Sequence, residues 1–297
     1  MTSSLLNIGS RALAAAQGSL ATVSHNIANA NTAGYSRQQA QLATAGAQYT
    51  GAGFFGRGVD LTTVRRQYDQ FLTAAVQSAG SASAADTARS TAMQALDSVF
   101  GDGELGIGAS LDAFFSSAGD LANRPADLST RQVFIARAGQ LAQRVTSIGG
   151  QVAALRAEAD GRLAPEAAQV NNRLDEISRL NARIVLAQGT GQPPNDLLDQ
   201  RDAAVQALGA LLSVQVVAQD DGSLSLFTTE GAALLVGQQK ATLQSVPDPD
   251  DASRHALRLT TGTVSQDLDA DALGGGSLAG TLRFRDEDAP AVLDQIG

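Results

Sequence analysis

The sequence predicts a mainly α-helical protein with a smaller antiparallel β unit, a multi-domain α+β arrangement built on long coiled-coil-like helices. Three observations lead there. Apolar residues recur at heptad spacing over residues 4–30 and again over 134–159. Near residue 212 the pattern switches to period two with β-branched residues. The 297 residues are 43% hydrophobic and 17% charged, which is enough apolar content for one or two buried cores and too much for wholesale disorder.

The first element is a helix. Leu6, Leu13, Leu20 and Ile27 stand seven apart, each followed three residues later along the first three repeats by Gly9, Ala16 and Val23. Half of that seam is small, so it permits close approach of a second helix while burying little apolar area. Two readings fit: an amphipathic helix lying on the chain's own core, or a helix that needs a partner. With so few large side chains on the seam, residues 1 to about 35 are expected to be loosely packed in this chain alone. The helix runs into Asn26-Ile27-Ala28-Asn29-Ala30-Asn31-Thr32-Ala33-Gly34-Tyr35-Ser36-Arg37. Asparagine and threonine side chains compete there for backbone hydrogen bonds, and Gly34 can adopt the left-handed conformation that ends a helix.

Residues 46–62 are glycine-rich with short apolar runs and read as an extended loop or small hairpin. A second helix is expected from near Val64 to Phe100, a loop from Gly101 to Gly108, and a short helix over 107–122 ended by Asn123-Arg124-Pro125. Ser129 would then cap a long helix whose seam is Phe134, Ala138, Leu141, Val145, Ile148, Val152, Leu155 and Ala159. The seam resumes after Gly161 and Pro165 at Val170, Leu174, Ile177 and Ile184. One kinked helix or two would fit, and the surviving hydrophobic phase favours one. Asn195 or Asp196 caps a further helix to about residue 212. Val214–Val217 and Leu224–Thr228 then form a hairpin around Asp220-Asp221-Gly222, extended by strands near 234–236, 241–243 and 256–259. The domain reading is a coiled-coil helix in residues 1–40, a helical body in 41–212, a small antiparallel β unit in 213–280, and the start of a further helix in 281–297.

Several functions are excluded or disfavoured. There is no cysteine, which removes disulfides and thiolate chemistry. The net charge of −9 and the 4% aromatic content argue against nucleic acid. That charge is uneven: residues 1–68 hold five arginines against one aspartate, a local +4, so the remainder carries −13. No apolar window approaches the ~20 residues that span a membrane, and no secretory leader is recognisable. Gly101, Gly103 and Gly106 spell a G-x-G-x-x-G, but the dinucleotide fingerprint needs a preceding strand and a helix is expected here. His25 and His255 lack carboxylate company at ligand spacing. Asp267, Asp269 and Asp271 imitate a calcium loop without its glycine and final glutamate. Lys240, the only lysine, has no catalytic or phosphate-binding motif around it. Asp196, Asp199, Arg201 and Asp202 are expected to serve helix capping and i,i+3 pairing. No catalytic constellation, cofactor site or metal site follows, and the chain is expected not to be an enzyme.

The Asn26–Arg37 string after an amphipathic first helix resembles the N-terminal signature of the bacterial flagellar rod, hook and junction proteins. Within that group, three stretches resemble the hook–filament junction members: Phe114-Phe115 leading to Arg124-Pro125 and Arg131, the Val170-Asn171 to Ile184 helix, and Asn195-Asp196-Leu197-Leu198-Asp199-Gln200-Arg201-Asp202. Gly222 to Gly237 also fits. The resemblance implies a structural protein of the extracellular flagellar axis, exported without a cleaved leader by the flagellar export apparatus with an export chaperone. Its implied partners are further copies of itself in a helical axial assembly, the hook protein and the next junction protein; no nucleic acid and no membrane insertion are implied. The assembly interface expected on this basis comprises Leu6, Leu13, Leu20, Ile27, Asn26, Asn29, Asn31, Gly34 and Tyr35. A C-terminal helix that pairs with the first one is implied to lie beyond these residues. Another axial protein, hook or rod, is the near alternative, and a secreted hydrolase using the aspartates is the distant one.

Overall fold

A computed structural model of the chain describes residues 2–101, 106–189 and 191–296. Helix α1 spans Thr2–Ala28. Four strands follow: β1 (Gln38–Thr44), β2 (Gln48–Thr50), β3 (Gly53–Phe55) and β4 (Val59–Arg66). β1 and β4 form an antiparallel ladder from Gln38↔Arg66 to Thr44↔Val59, and β2–β3 is the hairpin inserted at its far end. This ladder departs from the sequence reading, which put a helix start near Val64. β4 instead continues to Arg66, and α2 (Gln70–Phe100) begins only after Asp69, whose carboxylate accepts the Phe71 and Leu72 N–H groups. The strand wins because Val59, Leu61, Thr63 and Val64 suit a pleated surface and Asp69 is the better helix N-cap.

Helix α3 (Ile107–Asn123) and α4 (Leu128–Gln188) form a helical hairpin. The glycine fingerprint lies partly outside the described residues, and the element preceding it is indeed α2. Asp127 caps α4 in place of the expected Ser129, accepting the Ser129 N–H at 3.1 Å and the Thr130 hydroxyl at 2.8 Å. α4 is a single element of 61 residues that carries Pro165 in its interior, about 90 Å long at 1.5 Å per residue. Proline removes the hydrogen bond to the carbonyl of residue 161, and that residue is glycine, whose backbone can yield. Ile148, Val152, Ala159, Val170, Leu174, Ile177 and Ile184 are all buried, so the hydrophobic phase does survive the proline.

Helix α5 (Asn195–Gly209) starts with Pro194, not Asn195 or Asp196, at its cap position. Beyond it lie two antiparallel sheets. The first has the order β5 (Gln215–Ala218), β6 (Leu224–Phe227), β7 (Ala233–Val236), β8 (Gln239–Lys240). The second pairs β9 (Thr242–Pro247) and β11 (Val264–Leu268) on either side of β10 (His255–Thr261). Strand structure ends at Leu268. Within the unit expected over 213–280, the residues after Leu268 are helical, forming α6 (Ala270–Leu273) and α7 (Gly276–Arg283), and a π turn at Phe284–Asp288 and α8 (Ala289–Ile296) follow. Asp269 initiates this helical path by accepting the Ala272 N–H, and Gly280 lets α7 press against α2, where a Cβ would lie 2.2 Å from the Ala85 carbonyl oxygen.

Two cores result. The larger joins the second half of α4 to α5, both sheets, α6 and α7 through Leu163, Leu174, Leu208, Leu226, Leu257 and Leu278. The smaller joins α2, the middle of α4, the π turn and α8 through Leu96, Ile148, Val152, Phe284 and Ala289. A buried clamp ties them together. Asp160 on α4 accepts from the His255 ring at 2.5 Å, the His255 N–H at 2.8 Å and Arg285 of the π turn at 2.7 Å. His255 therefore has carboxylate company after all, 95 residues away in sequence and invisible to local spacing.

Candidate assembly interface and the joint behind it

α1 rests on the β1–β4 ladder by one face only. Ala15 and Thr22 are buried there, Gly18 lies under the Leu61 side chain, and Arg11 forms a two-pronged pair with Asp60 at 2.8 Å. Small residues permit this close seating, as at any helix laid flat on a sheet. The heptad seam points elsewhere: Leu6, Leu13, Leu20 and Ile27 are 60–77% exposed, and Leu5 and Val23 extend the same apolar surface. A stripe of that length on a helix of 27 residues is far more than scattered surface hydrophobicity.

The asparagine-rich string does different work. The Asn26 side chain donates to the Gln38 carbonyl and accepts the Gln38 N–H, both at 2.8 Å, and takes the Tyr35 hydroxyl proton at 2.7 Å. Asn26 thereby closes the turn between α1 and β1, with His25 Nδ1 3.0 Å from the same tyrosine oxygen. Burial, and then the fields of Asp199 and Asp196, raise the Tyr35 phenol above its ordinary value. Asn29 bonds back to the His25 carbonyl, Asn31 is exposed, and Gly34 takes a positive φ of 78° beside Ala203. Of the nine residues expected at an interface, the four seam residues and Asn31 face outward, Asn26, Asn29 and Tyr35 bond back to the chain itself, and Gly34 is exposed beside Ala203.

Behind that turn lies a polar joint to α5. Asp199 accepts the Ser36 N–H with one oxygen and Arg66 with the other, both at 3.0 Å. The same Arg66 nitrogen reaches Asp202 at 2.6 Å, and its guanidinium sits 4.5 Å over the Tyr68 ring. Gln38 donates to Asp196, and the Asn195 amide donates to the Val64 carbonyl at 2.8 Å. Arg201 points into the body, bonding Asn181 and the Gly222 carbonyl, and burial pulls its guanidinium down. The aspartate cluster is thus a long-range fastening, which corrects the expectation of capping and i,i+3 pairing. Sequence reasoning missed Ser36, Gln38 and Arg66 as its partners. The only local signal was an arginine pair, Arg65-Arg66, at the end of a β-branched run.

The remaining charged candidates are also engaged in structure. Asp267 pairs with Arg258 and Asp271 with Arg283, Asp269 caps α6, and Lys240 pairs with Asp175. Among the described residues no cluster of three potential metal ligands occurs, and no helix is long and apolar enough to cross a membrane.

Residues 93–297 match the family model described as flagellar hook-associated protein FlgK helical domain, and residues 6–35 match that of flagella basal body rod protein. The chain is 33% identical over 298 residues to flagellar hook-associated protein 1 of Salmonella typhimurium, covering 99% of this chain and 54% of that protein. Its counterpart in Escherichia coli K12 is 31% identical over the same shares, and that of Bacillus subtilis 29% identical over 84% of this chain and 51% of its own. The flagellar hook junction protein FlgK from Burkholderia pseudomallei superposes with a TM-score of 0.62 at 32% identity, covering 72% of this chain and 38% of that one. The chain spans about half the length of the curated relatives it matches.

Proposed function

Because the chain belongs to the flagellar hook-associated protein 1 family, we propose that it is a structural component of the bacterial flagellum at the hook–filament junction, working by helix packing. The observation that carries this reading is the α1 seam. Leu6, Leu13, Leu20 and Ile27 form a continuous apolar stripe along α1, and burying it against other axial helices would supply roughly 25 cal/mol for each Å² removed from water. In this reading α1 and the ladder beneath it form the axial segment, and copies of the chain associate in a helical assembly that meets the hook protein on one side and the next junction protein on the other. The −13 remainder faces outward and keeps the subunit soluble before assembly. The chain reaches this extracellular position through the flagellar export apparatus, escorted by an export chaperone.

The joint gives the seam its direction. Ser36, Gln38 and Arg66 fasten the axial segment to Asp196, Asp199 and Asp202, so the angle between α1 and the body is set by buried polar contacts. With those carboxylates engaged by Ser36, Gln38 and Arg66, the joint supports a packing role for them over hydrolysis. Co-sedimentation of the purified chain with isolated hooks tests the proposal. The unaltered chain should bind, and the double substitution Leu13→Ser and Leu20→Ser should abolish binding while leaving the melting temperature unchanged. Equal binding by both would sink the seam as the axial interface.

A further inference from the structure

The β2–β3 hairpin carries a second apolar surface that α1 does not explain. Three of the chain's twelve aromatic residues, Tyr49, Phe54 and Phe55, sit within it. Tyr49 and Phe54 face each other across the two strands with ring centroids 5.2 Å apart. None of the three is inside: Phe54 is 77% exposed, and the other two are more than half exposed. Aromatic residues usually furnish cores or contacts, since each can bury about 150–250 Å². Arg57 lies two residues beyond Phe55, exposed and without a carboxylate partner among the described residues. The base of the hairpin therefore carries a cation two residues from an exposed aromatic, Phe55.

A complementary arrangement lies on α3. Leu111 and Phe115, four residues apart on one face, are exposed, and Asp112 between them is exposed with no cationic partner among the described residues. This is an anion beside an apolar pair. The overall charge runs the same way, with +4 on the segment that bears the hairpin and −13 on the part that bears α3. We propose that the hairpin of one copy docks on α3 of a second copy, with Phe55 against Leu111 and Phe115 and with Arg57, two residues further on, against Asp112. Donor and acceptor belong to different elements of the same chain, so a contact that is not exchanged reciprocally between two copies leaves one donor and one acceptor free at the ends and can repeat head-to-tail. The inference rests on the self-association reading above and gives it a second, off-axis contact.

A charge exchange on the full chain tests it by sedimentation velocity. Arg57→Glu alone and Asp112→Arg alone should each weaken self-association about tenfold or more, because each homotypic contact then sets like charges together. A one-to-one mixture of the two variants should restore association to within about threefold of the unaltered chain, since every mixed contact again pairs opposite charges. Both positions are exposed, so melting temperatures should stay unchanged. Loss without restoration in the mixture overturns the Arg57–Asp112 pairing. If neither variant has an effect but Leu13→Ser with Leu20→Ser abolishes association, the hairpin contact falls and the seam stands. If the unaltered chain does not self-associate at any concentration it tolerates, both fall together.

Discussion

Replacing Asp199 with alanine should open the joint while leaving the body folded. Its carboxylate accepts two hydrogen bonds, from the Ser36 N–H and from Arg66, with about a tenth of either charged side chain exposed. Charge-assisted hydrogen bonds contribute roughly 1.5–3 kcal/mol each. The two losses do not add in full, because Asp202 stays 2.6 Å from the same Arg66 nitrogen and keeps that cation paired. Most of the cost comes from the stranded Ser36 N–H and the weakened guanidinium contact, together about 2–3 kcal/mol, or roughly 30–150-fold in the opening equilibrium. Native-state amide exchange reads this directly. The Ser36 amide and the near end of the β1–β4 ladder should lose protection by that factor, while amides of α4 around Ile148 and Val152 keep theirs. Asp199→Asn, which retains an acceptor for Ser36 but not the charge, should fall between. Protection of Ser36 that stays within about threefold of the unaltered chain would refute the joint as the fastening, and so would a loss spread evenly into α4.

Ile148→Asp should lower the melting temperature severely, since Ile148 is 0% exposed in the smaller core and an unpaired buried charge costs roughly 3 kcal/mol or more; an unchanged thermal melt would contradict that core. Gly280→Ala should destabilise because its Cβ would meet the Ala85 carbonyl oxygen, whereas Gly9→Ala, with open space around it, should stabilise α1 by about 0.5–1 kcal/mol, both measured by urea denaturation. Burial pushes the Asp160 carboxyl up, but hydrogen bonds from His255 and Arg285 outweigh it and hold the group below the ordinary aspartate value. The unfolded chain therefore takes the proton first on acidification. This stabilisation is fully present above about pH 4 and is lost as the pH falls through the folded value. Urea midpoints of Asp160→Asn between about pH 6 and pH 2 should accordingly show a shallower acid limb.

How much of this was legible in the sequence follows from the range of each interaction. α1 and α4 were readable because heptad periodicity is local, and in α4 the phase carries across Pro165. The ladder was not. Gln38–Thr44 offers only Ala40, Leu42 and Ala43 to an apolar count, and its packing depends on Gly18 and Ala15 of another element. The asparagine string announced a turn, but its anchor, Asp199, lies 163 residues beyond Ser36, and no spacing rule spans that distance. The same holds for the Asp160 clamp. The aspartates of α5 were visible as charges on a helix, and charge on a helix is most often answered locally. Here three of them are answered by Ser36, Gln38 and Arg66.

The π turn at Phe284–Asp288 changes what a deletion means. Along an ordinary α-helix consecutive side chains diverge by about 100°, so two neighbours seldom both point inward. Phe284 and Arg285 do, one entering the smaller core and the other reaching Asp160. A wide turn accommodates one surplus residue while the helix on either side keeps its angular setting. Gly280 against Ala85 and Ala289 in its core are therefore indifferent to that residue's presence. Excising Arg285 outright should let the segment wind into plain α-helix with both flanks undisturbed, whereas truncating it to alanine leaves a widened turn around nothing. Within the π turn, losing a residue is the gentler lesion, whereas in α7 or α8 the same loss would rotate one face of the helix away from the core it fills.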